Sequence, residues 1–205
     1  MSPRPQRQIL VTIEEPFRGK ATTAWVRKVI ASAMTHALPQ DQPAQVAVLV
    51  TDDQTVRRLN RDFRGVDEVT DVLSFSADHP GHWEGEDQPP QGRLQTSENF
   101  GDYADFPLPP GEAPALGEVV ISYPQTQRQA IEQRPANDLA VDLAVERELA
   151  LLLVHGVLHL VGHDHLDPVE TAAMQEKERA ALAPIFLSDQ PAGQRFGKAT
   201  GKARA

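Results

Sequence analysis

Apolar positions along the chain switch repeatedly between a period of two and a period near 3.6, a pattern that predicts short strands alternating with helices. Residues 9–13 (ILVTI) alternate as a strand, and 22–38 read as an amphipathic helix with Trp25, Val29, Ala33 and Ala37 on one stripe. After a proline-bounded connection at 39–43, residues 45–51 (QVAVLVT) predict a second, well-buried strand. Asp52 or Asp53 then caps a helix running to about Asp62, with Val56, Leu59 and Phe63 turned inward and Arg57, Arg58 and Arg61 on a solvated face. Arg64-Gly65 follows it, and 70–76 (TDVLSFS) make a third strand. Residues 117–122 (GEVVIS) give a fourth, and Pro124 opens a short helix through Gln133. Asn137 or Asp138 caps a long helix at about 139–160, and Asp167 with Pro168 opens the last, to about Leu182. The order β-α-β-α-β-β-α-α-α implies a small mixed sheet with helices packed on it.

The long helix departs from the others because LALLLV at 149–154 is apolar on every side, which places it through the centre of the molecule. That run is far below the roughly 20 residues a membrane span needs, and MSPRPQRQ at the start has no apolar stretch behind it, so the expectation is a cytoplasmic protein without membrane contact. Residues 77–115 lose all periodicity and are rich in Pro, Gly, Gln and acid, which predicts a flexible insertion. Residues 1–187 are read as a single domain carrying that insertion, and 188–205 as a basic, disordered tail.

Composition changes the picture in two places. There is no cysteine, so disulfides, thiolate catalysis and cysteine zinc sites are excluded, and any metal must sit on His, Asp or Glu. The net charge of −9 argues superficially against a nucleic-acid partner. However, residues 77–115 hold eight acidic residues against the single Arg93, a balance of −7, which leaves only −2 for the rest of the chain. A nearly neutral body can carry a basic cleft.

Four of the seven histidines fall within 155–165, too concentrated to be incidental. His155 and His159 stand one helical turn apart on one face, Gly162 offers the turn that ends the helix, and His163, Asp164 and His165 follow. A catalytic zinc commonly keeps three protein ligands and leaves its fourth position to water. The pattern His155-x3-His159-x2-Gly162-x2-His165 supplies three. His163 competes for third place, but Gly162 breaks the helical stripe and ranks His165 ahead. His163 or Asp164 can also close the shell of a structural zinc, and Asp164 can instead orient a ligand. His79 and His82 form no second site by themselves, having no further ligand at useful spacing.

The spacing coincides with the metzincin protease pattern H-E-x-x-H-x-x-G-x-x-H, except that Gly156 stands where the protease has its glutamate base. Without that base peptide hydrolysis is disfavoured, whereas a phosphodiester, with anionic oxygens facing a cation, suits such a site. Arg64 is the candidate for the second cation that this chemistry needs.

HGVLHLVGHDH at 155–165, LNRDFRGVDEVTDVLSF at 59–75 and LGEVVIS at 116–122 together closely resemble the YbeY family, over most of residues 9–184. The resemblance implies an α+β, zincin-like fold in which a small mixed sheet packs against helices and the long central helix carries the histidines. It implies one zinc ion per chain on His155, His159 and His165, and Arg64 acting at the substrate or transition state. It further implies a single-strand-specific, zinc-dependent endoribonuclease that matures ribosomal RNA near the 3′ end of the small-subunit RNA. The implied partners are the small ribosomal subunit and assembly proteins. The rival from another class is a ribosome-assembly factor with a structural zinc, and a metalloprotease ranks third. The long insertion and the extra tail depart from the family pattern but interrupt no motif.

Overall fold

The computed structural model describes residues 6–78, 112–133, 140–163 and 167–186. In chain order these form β1 (Arg7–Ile13), α1 (Thr23–Ala37), β2 (Ala44–Thr51), α2 (Asp53–Arg64), β3 (Val72–Ser76), β4 (Ala115–Ser122), α3 (Tyr123–Glu132), α4 (Val141–Leu160) and α5 (Pro168–Phe186). The sheet order is β1-β2-β4-β3. β1, β2 and β4 run parallel, with Val11 opposite Val48 and Val48 opposite Val119, while β3 pairs antiparallel with β4 along one edge. This is the expected α+β architecture.

Side chains alternate across the strands, so each face of the sheet gathers its own core. Val46, Val48, Val50, Val119 and Ile121 share one cluster with α1, α4 and α5, whereas Leu73 and Val120 join Val56 of α2 in a second. Therefore α2 covers one face and the long helix α4 the other. Among the described residues no helix is long and apolar enough to cross a membrane.

Caps set most of the helix ends. Thr22 Oγ1 accepts from Trp25 N (3.2 Å), Asp52 Oδ1 from Thr55 N (2.8 Å), Ser122 Oγ from Gln125 N (3.3 Å) and Asp167 Oδ1 from Glu170 N (2.9 Å), each satisfying an otherwise orphaned N–H. α4 differs: its N-cap is Ala140, with no side-chain bond, and the expected caps Asn137 and Asp138 lie outside the described residues. Burial compensates, because residues of α4 are core on most sides.

Several boundaries and faces depart from expectation. On α1 the core stripe is Val26, Val29, Ile30, Ala33 and Met34, and Trp25 and Ala37 are only partly buried. Steps of four residues drift about 40° each, so a stripe built only from them slides off the buried face. On α2 Phe63 is 43% exposed rather than inward, lying edge-on against Phe75 with ring centroids 5.2 Å apart. The inward place goes to Asn60, 4% exposed, whose Nδ2 donates to Glu68 O (3.0 Å) and ties down the loop after the helix. Arg64 belongs to the last turn of α2, and the left-handed Gly65 (φ +80°) ends it. The expected insertion also closes earlier: Ala113 is buried and Ala115 already pairs in β4, while residues 79–111 lie outside the description. Helix α5 runs past Leu182 to Phe186, with Pro184 in its last turn.

Candidate metal site on the central helix

The closeness of α4 to the sheet positions the site. A Cβ added to Gly156 would lie 2.7 Å from Val119 Cγ1 and 3.2 Å from Ser74 Oγ, so at this point the helix backbone rests directly on β3 and β4. One turn later Ser76 Oγ donates to Leu160 O (2.9 Å). The helix then stops as the sequence predicts. Gly162, at φ +83°, donates to His159 O (3.0 Å) and His163 N to Leu158 O (3.0 Å), a pair of bonds that satisfies the last carbonyls and turns the chain off the axis.

His155 and His159 are held on this helix with rings nearly perpendicular, 81° between planes, and centroids 4.5 Å apart. Their Nε2 atoms converge to 3.0 Å. Nδ1 of His155 is 2.8 Å from Oε1 of Glu178 on α5, whose side chain is 14% exposed. A carboxylate only accepts, so Nδ1 carries the hydrogen and the Nε2 lone pair points toward His159. Two ring nitrogens facing one another at this distance share either a proton or a cation. That donor set fits zinc, which takes imidazole nitrogens at about 2.0–2.1 Å.

Of the four residues singled out from sequence, the structure brings His155 and His159 together. His165 lies outside the described residues, as does Asp164, and among the described residues no group of three or more His, Cys, Asp or Glu could hold a metal. Arg64 closes α2 on the sheet face opposite α4, and the edge strand β3, against which both helices pack, lies at the border between them. His163 is half-buried beyond the turn. Burial, and then the Lys177 charge, lower its pKa from the ordinary histidine value.

Glu178 was not singled out from sequence, yet a signal was there. Met174, Glu178, Ala181 and Ile185 stand at helical spacing, and the three apolar members are buried. A carboxylate on a buried stripe calls for a partner.

Glu148 is a second carboxylate on the histidine-bearing stripe of α4, seven residues before His155. Burial first, and then the neighbouring Asp71 charge, raise its pKa. Because the folded state holds this proton more tightly than the unfolded chain, ionising Glu148 opposes folding, and the penalty grows as pH rises from the unperturbed value of 4.5 through the raised one. Glu148→Gln is therefore expected to melt with the wild type near pH 4 and above it at pH 8. Thermal melts at both pH values check this, and a difference independent of pH would contradict it.

The model of the family described as Endoribonuclease YbeY matches residues 11–185 of the chain. Three relatives named Endoribonuclease YbeY illustrate the similarity. The protein of Dehalococcoides mccartyi strain 195 is 36% identical over 178 residues, covering 87% of this chain and 90% of its own. That of Roseiflexus castenholzii is 38% identical over 164 residues, 78% and 84% respectively. That of Agrobacterium fabrum is 31% identical over 195 residues, 91% and 95%.

Proposed function

Since the chain belongs to the YbeY family of endoribonucleases, we propose that it is a zinc-dependent enzyme that cleaves single-stranded ribosomal RNA. The proposed target is the 3′ region of the small-subunit RNA, and the role is maturation and quality control of the ribosome, with the small subunit and its assembly proteins as partners in the cytoplasm. The single observation that carries the reading is the convergence of the His155 and His159 Nε2 atoms to 3.0 Å on a helix packed directly on its sheet.

His155 and His159, completed by His165, would hold one zinc ion. When bound, the ion supplies Lewis acidity toward a phosphate oxygen and lowers the pKa of a coordinated water. The remaining work falls to the chain. The imidazoles would ligate as neutral rings through their facing Nε2 atoms, so any proton held between them leaves as the site assembles. Arg64 offers a planar, permanently charged fork to the phosphoryl oxygens, where negative charge builds in the transition state. Substrate spanning the border strand β3 meets both the Arg64 side and the histidine side. Unpaired RNA has the backbone freedom to follow such a path, whereas a duplex does not.

The test is cleavage of a single-stranded small-subunit RNA fragment by rigorously purified protein, beside the same fragment annealed to its complement. Wild type should cut the single strand and spare the duplex. Arg64→Glu should lose about 10²–10³-fold in rate, the effect of removing one transition-state charge contact, while retaining its zinc. Equal cleavage by both proteins would remove Arg64 from the reaction. Tight RNA binding by the wild type with no cleavage would replace this reading by that of an assembly factor with a structural zinc.

A further inference from the structure

Glu178 touches His155 but belongs to no ligand set. It sits among Met174, Ala181 and Ile185, each 2% exposed or less, where an apolar side chain would pack at no electrostatic cost. Its location is also fixed from outside the histidine helix. Ser32 Oγ of α1 donates to Ala181 O (2.6 Å) and Lys177 Nζ reaches His36 O (3.3 Å), so α5 is fastened to α1 on either side of Glu178 along the chain. The carboxylate is thus presented to His155 by a neighbouring brace.

We propose that Glu178 is a positioning residue for the metal site: it holds His155 as the Nδ1–H tautomer, leaving the Nε2 lone pair aimed at the point that His159 also faces. A free neutral imidazole distributes its hydrogen between the two nitrogens, and the Nε2–H form cannot ligate through Nε2. A carboxylate on Nδ1 selects the competent form, orients the ring and raises its basicity. The role rests on the reading of His155 and His159 as zinc ligands. A plain structural brace between α4 and α5 is the competing account.

Glu178→Leu separates the two, since leucine suits a buried stripe and removes only the acceptor. Glu178→Gln keeps an acceptor oxygen and removes only the charge. In metal-free protein at one fixed pH, long-range proton–nitrogen NMR spectra should show the His155 hydrogen on Nδ1 in wild type and Glu178→Gln. In Glu178→Leu it should move largely to Nε2. Competition with a chromogenic chelator should show zinc held about 10–100-fold more weakly by Glu178→Leu and less than tenfold more weakly by Glu178→Gln. The metal-free melting temperature of Glu178→Leu should equal or exceed that of wild type. A lowered melting temperature with unchanged tautomer and zinc affinity would establish the brace and overturn the proposal. Wild type that binds no zinc would instead bring down the ligand reading, a failure visible in the control before either variant is measured.

Discussion

Replacing His159 with alanine is expected to lower RNA cleavage by about 10³-fold or more while leaving the fold in place. A bound metal contributes several kcal/mol of transition-state stabilisation, and each 1.4 kcal/mol or so is a factor of ten in rate. His159 supplies one of the two Nε2 atoms that meet at 3.0 Å, so without it the site loses one edge and with it most of its affinity. The core does not depend on that ring. His159 is only partly buried, and the packing of α4 rests on Leu149, Leu153, Val157 and Leu160, each 2% exposed or less. Circular dichroism and melting of the metal-free protein should therefore match wild type, while zinc content per chain falls. Cleavage at the wild-type rate by rigorously purified His159→Ala would point to a contaminating nuclease and remove the histidines from the chemistry.

The order of elements was legible because each strand and helix writes its own period. The alternation in β2 repeats the burial of Ala44, Val46, Val48 and Val50, and the unbroken apolar run of α4 matches its central position. Turn chemistry was legible at Gly162, which takes the left-handed conformation that ends a helix. What was not legible depends on neighbours remote in sequence. Phe63 is exposed although it stands on the stripe of the buried Val56, and Asn60 is held inward by the backbone of Glu68, a bond that no periodicity expresses. Glu178 meets His155 across 23 residues through the packing of α5 against α1 and α4. The pairing of His155 with His159 followed from helix geometry alone. The assignment of Arg64 leaned on the resemblance to the family and on the need for a second cation, since its place at the end of α2 carries no spacing relation to the histidines.

Introducing the protease glutamate, Gly156→Glu, is expected to unfold the protein or lower its melting temperature by about 10 °C or more, and to create no peptidase. The reason lies in the contact between α4 and the sheet. Even the first added atom would sit 2.7 Å from Val119 Cγ1, 3.1 Å from Cγ2 and 3.2 Å from Ser74 Oγ, and these belong to paired strands that cannot retreat singly. Gly156→Ala isolates that overpacking, which costs about 1–3 kcal/mol and is offset by about 1 kcal/mol from the better helix propensity of alanine. The glutamate adds a carboxylate forced against Val119, itself fully buried, and an uncompensated buried charge costs about 3–5 kcal/mol. Together these come to about 3–7 kcal/mol, which reaches the lower end of the stability of a typical domain, about 5–15 kcal/mol, and each kcal/mol corresponds to roughly 2–4 °C at this size. The double variant Gly156→Ala/Val119→Ala provides the control. Removing both Cγ atoms opens the space that the new Cβ needs, so the pair should destabilise less than the sum of the two single changes. Additivity, or a Gly156→Glu protein that melts like wild type and hydrolyses casein, would show that the helix can lift from the sheet. In the geometry described, Gly156 serves close packing: it brings α4 onto β3 and β4, and the side of the helix where a protease keeps its base is filled by Val119 and Ser74.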